Sequence, residues 1–199
     1  MKIFAKKIGM THLYDENGQH VPSTILDLQK TVVCAHKDQA KNGYEAALYA
    51  RVDEKAKPNK PLAGAFKKLS NIAQVAEQRE SADQKLEVGK EITCDDLKEG
   101  DLLTAFAKTK GKGFAGTVKR HSFNTGPKTH GSHNYRQPGS IGDTGPGHVV
   151  KGKKMAGHMG DTNKTVKNVK IVRIEKELGR IWVKGAIPGS NRNIIILQK

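Results

Sequence analysis

The sequence predicts a mainly β protein, and three observations carry the prediction. Runs rich in β-branched and aromatic residues, bounded by turn residues, fill both ends of the chain. No long helical apolar stripe interrupts them. A basic, glycine-rich arm from Lys110 to about Gly160 then separates the last strand-like runs from the others. Strands at both ends with an excursion between them suggest a closed or nearly closed barrel, since closure removes exposed sheet edges.

The elements follow in order. MTHLY and HVPSTILDL flank Asp15-Glu16-Asn17-Gly18, and Asn-Gly is a strong hairpin signal. TVVCAH (31–36) and YEAALYARV (44–52) read as strands, with Asn42-Gly43 between them. KAKPNKPLAGAFKKL sets Pro58 and Pro61 ahead of one short helical pattern. NIAQVAEQRE fits strand or helix. KLEVGKEITCDDLKEGDLLTAFAKT gives two strands, with a turn at 97–101 before the second. Beyond the arm, TVKNVKIVRIEKE and GRIWVKGAIPG alternate across a turn at Leu178-Gly179, and NIIILQK is a final strand. Trp182, between Ile181 and Val183, reads as core or barrel-wall packing.

Apolar residues make up 36% of the chain, below the ~45–50% usual for globular domains. The core is therefore smaller than the length suggests. A net charge of +15 calls for a polyanion or an anionic membrane surface as partner. No apolar run approaches the ~20 residues of a membrane span, so no membrane partner is expected. The N-terminal residues lack the apolar stretch of a signal peptide, which points to the cytoplasm. Cys34 and Cys94 lie far apart and read as buried, reduced thiols.

The charge is concentrated. Residues 108–170 carry thirteen Lys/Arg against Asp143 and Asp161, which is +11 of the +15. From Lys108 to Gly160 lie twelve of the 21 glycines and five of the eight histidines. A segment this basic cannot collapse without a polyanion. Glycine lets its backbone pass through tight places. Loops beyond ~12–15 residues are uncommon unless functional. Together these properties point to RNA packed around an extended arm. Lys110, Lys112, Lys119, Arg120, Lys128, Lys151, Lys153 and Lys154 are candidate phosphate contacts. Gly113 and Gly139 allow close backbone approach. His121, His130, His133 and His158 can stack on bases or donate to phosphate. Phe114, Tyr135 and Arg136 offer stacking surfaces, with Phe123 beside them, and Asn134 and Ser140 complete the set. Packing of the arm's base is an equal reading for the phenylalanines.

Three other motifs weigh less. Gly111-Lys112-Gly113-Phe114-Ala115-Gly116 matches the dinucleotide fingerprint literally. That fingerprint also needs a helix at the glycines and an acid about twenty residues on, and 131–138 holds none. His130 and His133 have no Cys or carboxylate close enough to complete the three or four ligands of a zinc site. No nucleophile–base pair or carboxylate pair stands out. No metal, cofactor or catalytic residue is expected, and no homo-oligomer. Two other classes stay open: a nucleotide-dependent enzyme using the Gly111–Gly116 loop, and a DNA-architectural protein, since lysine arms suit DNA as well.

GKGFAGTVKRHSF, THGSHNYRQPGSIG and GHVVKGKKMAGHMG, in that order, closely resemble the large-subunit ribosomal protein L-three family, bacterial type. KKIGMTHLYDENGQHVPSTIL, PLAGAFKK and NVKIVRIEKELGRIWVKGAIPGSNRNIIIL match it too, so the likeness spans essentially the whole chain, weakest at 70–96. Ala65 stands where the family usually has histidine, and the turn at 142–147 lacks the glutamine often found there. The resemblance implies a barrel similar to the second domain of translation elongation factors, with a small α/β insertion. It implies a structural protein that binds large-subunit rRNA early in assembly. The arm would thread rRNA toward the peptidyl transferase centre, beside neighbours of the L-fourteen and L-nineteen families. The expected division is barrel at 1–43, 86–109 and 161–199, insertion at 44–85, and arm at 110–160.

Overall fold

The computed structural model describes residues 1–66, 69, 71–79 and 86–199. The expected insertion therefore lies partly outside the described residues, at 67, 68, 70 and 80–85. The chain divides into two compact units, one of Met1–Lys108 with Asn163–Lys199 and one of Thr109–Thr162.

The strands are β1 (Lys2–Tyr14), β2 (His20–Leu28), β3 (Thr31–Lys37), β4 (Ala46–Val52), β5 (Ile72–Arg79) and β6 (Glu91–Ile92). They continue as β7 (Leu102–Lys108), β8 (Phe114–Ala115), β9 (Gly157–His158), β10 (Asn163–Glu175), β11 (Arg180–Lys184) and β12 (Ile194–Gln198). The helices are short: α1 (Gln39–Asn42), α2 (Lys60–Ala65) and α3 (Thr117–His121). The mainly β class is as expected. β5 resolves the stretch that fitted strand or helix, because it pairs antiparallel with β4.

In the first unit, six strands pair antiparallel in a closed ring, β1-β12-β7-β10-β11-β2. Alternation along each strand explains how the ring fills. Leu103, Ala105 and Ala107 of β7, Ile181 and Val183 of β11, and Ile195 and Leu197 of β12 are buried in one core. Each large aliphatic side chain so buried stabilises the fold by roughly 1.5–3 kcal/mol. Bulges interrupt β1 between Lys7 and Gly9 and β10 between Val166 and Val169. Such bulges bend a strand and raise its twist, which favours closure. Lys7 is buried, and its ammonium donates to the Ile187 and Gly189 carbonyls at 2.5 and 3.4 Å. Trp182 faces outward, half-buried, with the Arg173 guanidinium 5.5 Å from its ring centroid.

The β1–β2 hairpin closes as its turn residues dictate. The Asp15 carboxylate accepts hydrogen bonds from the amides of Asn17 and Gln19 at 3.1 and 2.7 Å. Asn59 caps α2 by accepting from the Leu62 amide at 3.2 Å, with Pro61 in the first turn.

A second sheet, β5-β4-β3-β6, corrects two expected boundaries. The expected division places β3 in the barrel, at 1–43, and β6 in its continuation, at 86–109. Both pair instead with the insertion, so its sheet reaches from Thr31 to Ile92. The chain changes sheets right after β2. Gln29 donates its amide to the Phe4 carbonyl at 2.8 Å, and the Phe4 amide donates to the Thr31 hydroxyl at 3.1 Å. The unbroken apolar run Val32-Val33-Cys34 suits a strand covered on both faces better than an alternating barrel stave. Val33, Tyr49 and Ile92 share the barrel's core cluster.

Both cysteines are free and buried, as expected. Burial pushes the Cys34 thiol up to about 11, and its sulfur donates to the Leu48 carbonyl at 3.2 Å. Burial raises Cys94 as well, with the Asp95 carboxylate adding to the effect. At pH 8 the thiolate fraction of Cys34 falls roughly a hundredfold below that of a free cysteine. A colorimetric thiol assay should therefore detect almost no reaction in the native protein and two thiols after denaturation. A prompt reaction in the native state would contradict this burial.

Candidate nucleic-acid interface

The second unit is built as two limbs that meet along a hydrogen-bonded root. The Thr109 amide donates to the Thr162 carbonyl at 2.9 Å, and the Lys112 amide to the Met159 carbonyl at 2.8 Å. The Met159 amide returns a bond to the Gly113 carbonyl at 2.9 Å. β8 and β9 extend the pairing, with Phe114 opposite His158 and Ala115 opposite Gly157. These limbs approach so closely that glycine is required. A Cβ on Gly160 would lie 2.1 Å from the Lys110 carbonyl oxygen.

α3 then turns the first limb. Arg120 donates to the Met155 carbonyl at 2.8 Å, and a His121 ring nitrogen lies 3.0 Å from the same oxygen. These two predicted RNA contacts thus also brace the limbs against each other. Farther out the chain folds on itself, and the Gly126 amide donates to the Tyr135 carbonyl at 2.9 Å. A Cβ on Gly126 would meet the Asn134 carbonyl oxygen at 2.2 Å. The Lys128 ammonium lies 5.2 Å from the Tyr135 ring centroid.

Most predicted contacts face solvent. Lys110, Lys112, Gly113, Lys119, Arg120, Lys128, His130, His133, Asn134, Arg136, Gly139, Ser140, Lys151, Lys153, Lys154 and His158 are exposed. Phe114 is 80% exposed, so its ring does not pack into the protein's interior. Phe123 behaves differently. It is half-buried, with its ring centroid 6.1 Å from that of His121. His121 and Tyr135 are half-buried too. Lys164, Lys167 and Lys170 add to the charge of residues 108–170 but are not among the predicted contacts. All three are exposed on β10 in the first unit.

Every residue from Arg136 to Lys154 is exposed. Without buried apolar contacts this stretch should open most easily. Limited trypsin digestion of RNA-free protein should therefore cut first at Arg136, Lys151, Lys153 or Lys154. First cuts within 1–50 would refute this.

A helix does open after the glycine motif, with Gly116 as the residue before α3. It spans five residues and carries no apolar stripe, unlike the helix of a dinucleotide fold. No group of three metal-ligating side chains occurs among the described residues.

A cored β unit joined to an exposed, lysine-rich and nearly acid-free pair of limbs defines a class, that of strongly basic structural proteins. The family model described as Ribosomal protein L3 matches residues 65–180. Large ribosomal subunit protein uL3 of Bifidobacterium adolescentis is 42% identical over 202 residues, covering 98% of this chain and 94% of that protein. Its counterpart in Bacillus thuringiensis is 37% identical over 199 residues, covering 98% of this chain and 95% of that protein. The chain belongs to the ribosomal protein L3 family. It is a ribosomal protein and not an enzyme.

Proposed function

We propose that the protein is a structural component of the large ribosomal subunit that binds rRNA through residues 110–160. In this reading it acts early in subunit assembly and supports rRNA near the peptidyl transferase centre. The observation that carries it is the second unit itself. Its limbs meet through glycines, and its lysines, histidines and Phe114 are exposed. Ammonium groups neutralise phosphates, exposed rings take bases, and glycine backbone lies close to sugars. The six-stranded ring, which the resemblance likens to the second domain of elongation factors, would serve as the arm's anchor. Proteins of the L-fourteen and L-nineteen families would be its neighbours.

Pro138-Gly139-Ser140-Ile141-Gly142 would form the arm's tip. Gly139 has φ +77, a left-handed conformation that suits glycine. The DNA-architectural reading uses the same charges, so the experiment must separate the two. Tagged protein expressed in a bacterial cell should sediment with large-subunit particles and their precursors. Sedimentation with the nucleoid in place of these particles would overturn the proposal.

A further inference from the structure

We propose that the outer wall of the barrel carries a second RNA site, a groove that accepts one unpaired nucleotide. The inference rests on the reading that this protein binds rRNA, and it adds a contact that the arm does not supply. The alternation that sends Ala105, Ala107, Ile195 and Leu197 inward sends Phe106, Lys108, Ile194 and Ile196 outward. Register then gathers these residues. Phe106 lies opposite Ile196 on one side and Thr165 on the other, and Lys108 lies opposite Asn163. The result is a cavity of about 370 Å³ whose lining includes Phe106, Ile194 and Ile196 together with Lys164, Asn163 and Asn193. The three apolar side chains are half-buried, while Lys164 and Asn163 are exposed.

The chemistry of the lining selects the occupant. No carboxylate is among the lining residues, which argues against a cationic ligand. The Lys2 ammonium lies 5.3 Å from the Phe106 ring centroid and donates to the Glu77 carbonyl at 2.5 Å, so it borders the groove already partnered. The Asn193 amide donates to the Lys108 carbonyl at 3.2 Å, which fixes its position beside that lysine. An aromatic ring for a base, amides for base edges and an ammonium for phosphate are what an unstacked nucleotide requires. An acidic peptide would use the ammonium but would leave the ring and the amides without matching partners. The cavity falls within the ~300–1,000 Å³ range of small-ligand sites. That range suits a single splayed nucleotide and is far too small for a duplex.

Photocrosslinking tests the site in the full chain. A short single-stranded RNA carrying 5-iodouridine is bound and irradiated, and crosslinked peptides are mapped by mass spectrometry. Crosslinks are expected within 102–108 or 194–198, separately from those in the arm. Phe106→Leu keeps an apolar side chain. It should lower the groove yield about fivefold or more, the lower end of the effect of one base–aromatic stack, and leave the arm yield unchanged. Asn163→Ala, at an exposed position, should lower the groove yield without altering thermal unfolding. The site is overturned if neither variant changes the groove yield. It is also overturned if an acidic peptide clears the groove crosslinks at concentrations where uridine monophosphate does not. Groove crosslinks that persist while arm crosslinks are missing would support this site and count against the arm reading alone.

Discussion

Replacing Gly160 by valine should part the two limbs of the arm while the barrel stays folded. The new Cβ would sit 2.1 Å from the Lys110 carbonyl oxygen and 3.1 Å from the Gly111 Cα. Both neighbours are backbone, so no side-chain rotation can make room. The residue also has φ +76, where a β-branched side chain is strained. Left-handed strain costs about 1–3 kcal/mol for a residue other than glycine, and forced overpacking adds about 1–3 kcal/mol. Against this stand the root's few hydrogen bonds, worth about 0.5–1.5 kcal/mol each. The root should therefore open. Hydrogen exchange at the Lys112 and Met159 amides should lose its protection, and amides of β7 and β12 should keep theirs. Gly113→Asn is the control, because a Cβ there meets nothing within 4 Å and the left-handed φ of +65 is one that asparagine tolerates. Native protection of Met159 in the Gly160→Val protein would show that the limbs do not depend on this close approach.

Changing Lys151, Lys153 and Lys154 together to alanine should weaken rRNA binding and flatten its salt dependence. All three are exposed, and none takes part in an ion pair among the described residues. Their removal should leave stability nearly unchanged. Each lysine that neutralises a phosphate contributes a log–log slope of about −0.7 to −0.9 against salt concentration. Three such contacts make about two units or more. The measurement is fluorescence anisotropy of an rRNA fragment across a series of potassium chloride concentrations. A slope identical to that of the unmutated protein would mean that these lysines are solvated and touch no phosphate.

Local chemistry made part of this protein legible from residues alone. Asn17-Gly18 between two alternating runs identified the β1–β2 hairpin, because turn residues act on their immediate neighbours. The arm could be read for the same reason. Its charge and glycine content are sums over one stretch of chain, and the structure leaves nearly all of its predicted contacts exposed. Pro58 and Pro61 marked the short helix that spans Lys60–Ala65.

Pairing between distant residues could not be read this way. Ile72–Arg79 had no decisive periodicity and became a strand because β4 offered it an edge. Thr31–Lys37 looked like a barrel stave by its place in the chain, yet it joined the other sheet where both its faces are covered. Closure of the ring needs β1 to meet both β12 and β2, a long-range register that no window of sequence contains. The same holds for Gly160 against Lys110 and for Phe106 between Ile196 and Thr165. Composition and turn chemistry are properties of neighbours along the chain, so the sequence by itself determined the β class and the basic arm. Which strands pair, which backbones touch and which side chains share a groove depend on residues far apart in sequence, and the tertiary structure decided them.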